Sequence, residues 1–480
     1  MLNMFRKYAR EIVMVTVALF VVSLFGLGAF SWFGRTQDKS SSKDGTSQSS
    51  LATLDGKPVD EPRFYRQFNQ SFSAIPEAQR ILVDPDMMDY YRYDALEKTI
   101  SFMLMLREAD KQGIKALPQE VHYRVEQIAK MYQLKSVGEL KKILKQRKIP
   151  WKGFKNEQKE EIMVAKTVNG ISGRVTVTPM DKLMAFTEIQ ARHILIKIQT
   201  DNMEEDVKAL KKAERIYETV LSNRGAFSQY AKTYSEDKLS AENGGDLGWI
   251  SRGQMVSEFE KQLYKMKPGD IVGPVKTIFG YHIILVTDRK DKPIPKGMTE
   301  QDVENQILQE KQAEAVRKWI NPLQNSANVV VIDPALKAYE ARVKRDYLGA
   351  LIEYQKLLSS QPQNLLMYIQ IARMYEKLNR PEESDKVFRK AMIWQKYNPQ
   401  AQYPILYFSA MDHFEKQGNR EQAKEYLGDA LKYFANSMPV LLAVSNNYQA
   451  LLTSEAKLDL LKKVDELQKK AREKDGVGKK

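Results

Sequence analysis

No cysteine occurs in the 480 residues. That absence removes disulfides, thiolate zinc sites, a cysteine nucleophile and lipid attachment through cysteine. Histidine is almost as scarce. Only His122, His193, His282 and His413 occur, none spaced as metal ligands, so neither a metal nor another cofactor is expected. Long charge blocks of one sign are also missing. The formal charge is +14, yet Lys208–Lys212 is followed at once by Glu214, and only Lys141-Lys142 and the Lys469–Lys480 stretch stand out. Interleaved charge of this kind makes a solvated surface, and no nucleic-acid partner is expected. Apolar and charged fractions of 43% and 28% are those of a globular protein. The length calls for several domains.

What is present begins with a charge-free apolar run from Ile12 to Phe33. A helix of about 20 apolar residues crosses a bilayer, so residues 1–34 read as a membrane anchor. Phe30, Trp32 and Phe33 suit the interface, and Arg6, Lys7 and Arg10 favour an inside N-terminus. Arg35 and Lys39 oppose that bias, and cleavage near Ala29 is the alternative to an anchor. The expectation is a single-pass protein of the cytoplasmic membrane with its bulk exported to the periplasmic or extracytoplasmic side. Residues 35–50 hold no apolar side chain and make a flexible tether.

Residues 51–185 read as a helical module. Asp84-Pro85 starts a long helix that Gly113 ends, Pro118 opens another, and Ser136 with Glu139 forms a capping box. Pro150-Trp151 starts the last long helix, which ends near Gly170. Tyr90, Tyr91, Tyr93 and the run Phe102 to Leu106 exceed one apolar stripe, so part of that surface meets another segment or a client. Beyond Lys296, Thr299 caps a helix expected to stop near Asn321-Pro322, and Val329–Ile332 reads as a strand. Leu51–Leu54 is a second candidate strand, so residues 293–334 are expected to complete the module from the far side.

The chain changes character between residues 186 and 292. ARHIL, YSED, NGGDLGWI, GQMVSEFE, a KPGD turn and VKTIFGYHIILV follow one another, with strands at both ends and helices between. In order and spacing these motifs resemble the parvulin-type peptidyl-prolyl isomerases, and the flanking helices resemble the SurA/PrsA-like membrane-anchored foldases. The resemblance implies a mainly α, multidomain chain with one α+β parvulin domain at 186–292. It implies catalytic positions at His193, Asp237, Thr277 and His282, and a proline pocket of Leu247, Met255 and Phe259 bordered by Phe279. Phosphopeptide-selective parvulins carry basic residues after the first strand, whereas this loop, Thr200–Asp206, is acidic. Unmodified X–Pro clients are therefore expected.

Residues 335–475 carry a repeat. Ala350-x₃-Tyr354, Ser384-x₃-Phe388 and Ala423-x₃-Leu427 recur 34 and 39 residues apart, as in tetratricopeptide-like helical repeats. Such stacks offer a face to a protein or peptide partner; a plain helical bundle is the alternative. The combined reading is an isomerase and chaperone for unfolded exported proteins. Its rival is a non-catalytic holdase or membrane-anchored assembly scaffold that uses the repeats to bind partners.

Overall fold

The computed structural model describes residues 50–198, 203–398 and 402–477. The expected anchor and nearly all of the tether lie outside the described residues, as do Thr200–Asn202 of the acidic loop. No helix among the described residues is long and apolar enough to cross a membrane.

In chain order the elements are β1 (Ala52–Leu54), β2 (Lys57–Pro58), α1 (Glu61–Ser73), a 3-10 turn (Glu77–Leu82), α2 (Pro85–Lys111), α3 (Pro118–Met131), α4 (Val137–Gln146) and α5 (Trp151–Ser172). Then come α6 (Pro179–Ala185), β3 (Thr187–Lys197), α7 (Met203–Ser222), α8 (Phe227–Tyr234), α9 (Lys238–Ala241), β4 (Asp246–Ile250), α10 (Ser257–Leu263), β5 (Ile271–Thr277) and β6 (Gly280–Asp291). The remainder is α11 (Glu300–Ser326), β7 (Val329–Val331), α12 (Pro334–Val343), α13 (Tyr347–Ser360), α14 (Leu365–Lys377), α15 (Pro381–Tyr397), α16 (Pro404–Lys416), α17 (Arg420–Tyr433), α18 (Met438–Asn447) and α19 (Ser454–Val477). The fold is mostly helical, with a three-stranded sheet β2-β1-β7 and a four-stranded sheet in a small α+β domain.

Two compact units result: residues up to Asn169 together with those from Ile320 onward, and Gly170–Trp319. Residues 170–185 and 293–319, expected in the helical module, thus fall in the other unit. The reason is local. Met180 and Met184 pack on the sheet core there, and Asp181 and Lys182 pair with Lys311 and Glu304 of α11.

In the first unit, distant segments share one sheet. β1 pairs antiparallel with β7, setting Thr53 opposite Val330, and β2 closes the other edge. The Leu51 carbonyl accepts from the Ile332 and Asp333 amides, both at 2.9 Å. Helix starts follow the sequence signals. Asp84 accepts from the Asp86 amide at 2.8 Å ahead of Pro85. Ser136 accepts from the Glu139 amide, while the Glu139 carboxylate reaches past the expected Ser136 amide to that of Lys135. α11 does not stop at Pro322. It loses the bond that residue would donate but continues a further turn, where Gln324 donates to the Ser101 hydroxyl at 2.8 Å. Arg63 joins α1, α2 and α5: its guanidinium lies 3.4 Å from the Phe102 ring centroid and meets Glu160 and Glu161 at 3.2 and 2.6 Å.

From α12 onward the helices pack as successive antiparallel pairs. Ala350, Tyr354, Ser384, Phe388, Ala423 and Leu427 are all buried, each on the second helix of a pair. The first helices share a face, and that face is not bare. α12 and α14 pack against α2, while α16 and α18 pack against the 3-10 turn. The surface expected to take a separate partner therefore carries the chain's own N-terminal segment.

Asp89 is buried in that contact, accepting from Tyr354 Oη at 2.6 Å and Gln370 Nε2 at 2.7 Å. Burial pushes its carboxyl up to about 6, against the pull of the Tyr354 hydroxyl, Arg342 and Arg92; Asp86 adds to the rise. In the unfolded chain an aspartate ionises near 3.9. The folded form therefore holds the proton between those values, and stability falls as pH rises through that window, by about 3 kcal/mol. Asp89→Asn should remove this slope. Urea titrations of both chains from pH 4 to 7 check this; parallel curves would mean that Asp89 binds its proton equally in the folded and unfolded chain.

Candidate active site

The sheet of the second unit runs β4-β3-β6-β5, all antiparallel. Strand alternation gives it two cores. Ile194, Ile196, Tyr281 and Ile283 face α7 and α8, while Ile189, Ala191, Ile284 and Val286 face Phe259 and Leu263 of α10. His193 lies opposite Ile284, and His282 lies opposite Leu195. His282 and Ile284 are two positions apart on one strand, so the histidines are diagonal neighbours on the α10 face.

β4 pairs with β3 only as far as Arg192, which leaves the rest of that edge open. The YSED segment covers it. The Leu195 amide donates to Ser235 Oγ at 3.1 Å, the Glu236 amide to the Leu195 carbonyl at 2.8 Å, and the Lys197 amide to Glu236 Oε2 at 2.8 Å. Pinned in this way, the chain sets Asp237 beside His193. The His193 amide is bound by the Gly245 carbonyl at 2.8 Å. Gly245 has φ +78°, and a Cβ there would lie 2.3 Å from the His193 carbonyl oxygen, so only glycine fits.

The side chains form one hydrogen-bonded line. His193 Nε2 lies 2.9 Å from Asp237 Oδ2, and the two Nδ1 atoms of His193 and His282 are 3.2 Å apart. His282 Nε2 lies 2.9 Å from Thr277 Oγ1, which also accepts from the Phe279 amide at 3.1 Å. Ser240 was not foreseen from the sequence. Its hydroxyl donates to Asp237 Oδ2 at 2.5 Å and sits 3.0 Å from His193 Nε2. The one available signal was its place three residues after Asp237, on the short α9 that Asp237 precedes.

Donor and acceptor counting then fixes the protons. Asp237 accepts, so His193 donates from Nε2 and its Nδ1 is bare. His282 must donate from Nδ1, and its Nε2 accepts from the Thr277 hydroxyl. This pattern holds only while both rings are neutral. Burial provides for that: it lowers His193 against the pull of Asp237, and burial with the nearby His193 takes His282 down to about 4. Asp237 is lowered overall, because bonds from Ser240 and His193 outweigh its partial burial. Any activity that depends on this pattern should therefore keep its acid limb below the ordinary histidine value of about 6.5. A kcat/KM profile checks this, and an acid limb centred near 6.5 would mean that a histidine titrates as if solvated.

The expected pocket residues take different stations. Phe259 is 2% exposed and stands edge-on to both rings, with centroids 6.0 Å from His193 and 5.2 Å from His282. Leu247 and Met255 are partly buried around the same cluster. Phe279 is 55% exposed on the turn between β5 and β6. Among the described residues no group of acidic, histidine or cysteine side chains is arranged to hold a metal ion.

Residues 177–290 match the PPIC-type PPIase domain model, and residues 1–168 match the SurA-like N-terminal domain. Chaperone SurA of Nitrosococcus oceani is 35% identical over 143 residues, 30% of this chain and 33% of that protein. Foldase protein PrsA of a Geobacillus species is 40% identical over 151 residues, 31% of this chain and 50% of that protein. A solved structure of PrsA from Bacillus anthracis is 26% identical, covering 48% of this chain and 95% of that one, with a TM-score of 0.25. The chain thus spans between a third and a half of the length of these two curated relatives. It carries a PPIC-type parvulin isomerase domain and a SurA-like N-terminal domain.

Proposed function

We propose that this protein is a peptidyl-prolyl cis/trans isomerase and foldase that acts on unmodified X–Pro bonds of exported, incompletely folded proteins. The carrying observation is the uninterrupted line Asp237–His193–His282–Thr277 laid against Phe259. Rotation about an X–Pro bond breaks no covalent bond, and uncatalysed it takes tens to hundreds of seconds. In the planar imide, resonance places negative charge on the carbonyl oxygen; in the twisted state that charge withdraws. A carboxylate near the oxygen therefore disfavours the planar form more than the twisted one, which is the differential binding that catalysis needs. Asp237 is the partly exposed end of the line, with a side chain 27% accessible, and the neutral histidines keep it unprotonated and aimed. Leu247, Met255 and Phe259 supply an apolar seat for the ring that also strips water from the imide.

Selection for unmodified clients has its own support. Lys276, the cation on the adjacent strand β5, is paired with Asp206 at 2.5 Å, and Tyr281 donates to the same carboxylate at 2.9 Å. Its charge is thus already engaged. The full chain in detergent should accelerate isomerisation of an unphosphorylated Ala-Pro peptide at least tenfold over buffer, with no gain for phosphoserine-proline. A rate equal to buffer would leave the holdase and scaffold reading standing. That reading has one observation in its favour: Tyr65, Ile81, Met87 and Tyr90 of the helical unit are each more than 40% exposed. Such surface suits varied apolar clients.

The membrane anchor, the extracytoplasmic location and the tetratricopeptide-like character of α12–α19 complete the proposal. A reporter that works only outside the cytoplasm, fused after Lys480, should be active in a salt-washed membrane fraction. Recovery of the reporter in the soluble fraction would point to a cleaved leader.

A further inference from the structure

The shared face of α12, α14, α16 and α18 holds its occupant by charge reading as well as by apolar contact. Arg373 clasps Asp84 with two parallel bonds of 2.6 and 2.7 Å and reaches Asp86 at 3.2 Å. Arg342 pairs with Asp86. Tyr354 and Gln370 both donate to Asp89. Leu82, just ahead, packs into the main apolar cluster of the paired helices. Three carboxylates at positions i, i+2 and i+5 of one helix start are thus each met by their own donors, and fork-to-fork Arg–carboxylate pairing is geometrically selective.

We propose that this face is a peptide-reading groove for an acidic helix start of the pattern Asp-Pro-Asp-x-x-Asp, filled in cis by residues 82–89. A partner protein that presents the same acidic pattern competes with the chain's own segment. Tethering sets the odds. A linked segment acts at an effective concentration on the order of millimolar, so a free partner at micromolar level gains entry only when the cis segment is weakened or released. This rests on the helix pairs and their contacts and is independent of the isomerase reading.

The test uses a fluorescent peptide of residues 76–96 and the full chain in detergent. Asp84→Asn with Asp86→Asn removes two charges and keeps a competent helix cap, since asparagine caps as well as aspartate. The peptide should bind the doubly substituted chain about tenfold or more tighter than the wild type, and adding Arg373→Ala should abolish the gain. Equal binding to both chains would show that the groove is not filled in cis; binding to neither would show that it does not read the motif. A second measurement needs no variant. Millimolar peptide should speed hydrogen exchange of the wild-type chain's own residues 84–93, whereas a peptide with both aspartates changed to asparagine should not. Unchanged exchange with the acidic peptide would also overturn the proposal.

Discussion

Asp237→Ala should lower kcat/KM toward an unmodified X–Pro peptide by about two to three orders of magnitude, the usual loss when a preorganised electrostatic group is removed from a site. The carboxylate is more than a charge. It takes the Nε2 proton of His193 and the Ser240 hydroxyl proton, and so fixes the tautomers of both rings as far as Thr277. Asp237→Asn separates these roles. An amide oxygen in the place of Oδ2 still accepts from both His193 and Ser240, so ring positions survive while the charge is lost. If charge opposite the imide oxygen drives the rotation, the asparagine variant should be nearly as slow as the alanine variant. If positioning of the rings drives it, asparagine should retain most of the rate. Ser240→Ala leaves the charge and should cost about tenfold or less. Full activity in Asp237→Ala would remove the carboxylate from the mechanism.

Phe259→Ala should abolish measurable isomerisation and destabilise the unit around it by about 3–5 kcal/mol, the range for deleting a buried phenylalanine. The ring fills the space between α10 and the two histidines and touches both edge-on. Removing it opens a cavity under the pair and admits water to rings whose neutrality depends on being dry. The effect should stay local to the second unit, because Phe259 packs only within that core. Calorimetry of the full chain should show the isomerase transition moved down while the transition of the other unit stays in place. Phe259→Leu retains most of the volume and should recover stability before activity. A variant with wild-type melting and no activity would assign Phe259 to the substrate alone.

Different parts of this molecule were legible in the sequence to different degrees, for physical reasons. Signals carried by neighbouring residues could be read directly: Asp84-Pro85 starts its helix, Ser136 caps the next, and the small-large pairs such as Ala350 and Tyr354 lie buried on α13. His193, Asp237, Thr277 and His282 were named from motif order, and the fold brings all four into one chain of bonds. Neither Ser240 nor the edge covering that places Asp237 could be read, because both depend on β4 leaving β3 after Arg192. Pro322 misled for the opposite reason. Its local signal is a helix stop, but contacts such as Gln324 with Ser101 outweigh one missing bond. The filled repeat face was hidden as well. Arg373 and Asp84 lie 289 positions apart, and nothing in either neighbourhood announces the other.

The pairing of β1 with β7 also sets an order of events in time. A chain that emerges N-terminus first presents Ala52–Leu54 long before Val329–Val331 exists to pair with it. The strands of the isomerase sheet, by contrast, lie within Thr187–Asp291 and can close while the last third of the chain is still to come. The catalytic domain is thus the earlier of the two to mature, and the helical unit around α2 waits for the chain's final stretch. Contacts over such separations form slowly, because a long loop must close before it gains anything. During that interval Tyr93 on α2 lacks the cover that Tyr339 of α12 later gives it, so the newborn chain carries uncovered apolar surface while its parvulin-type domain is already closed.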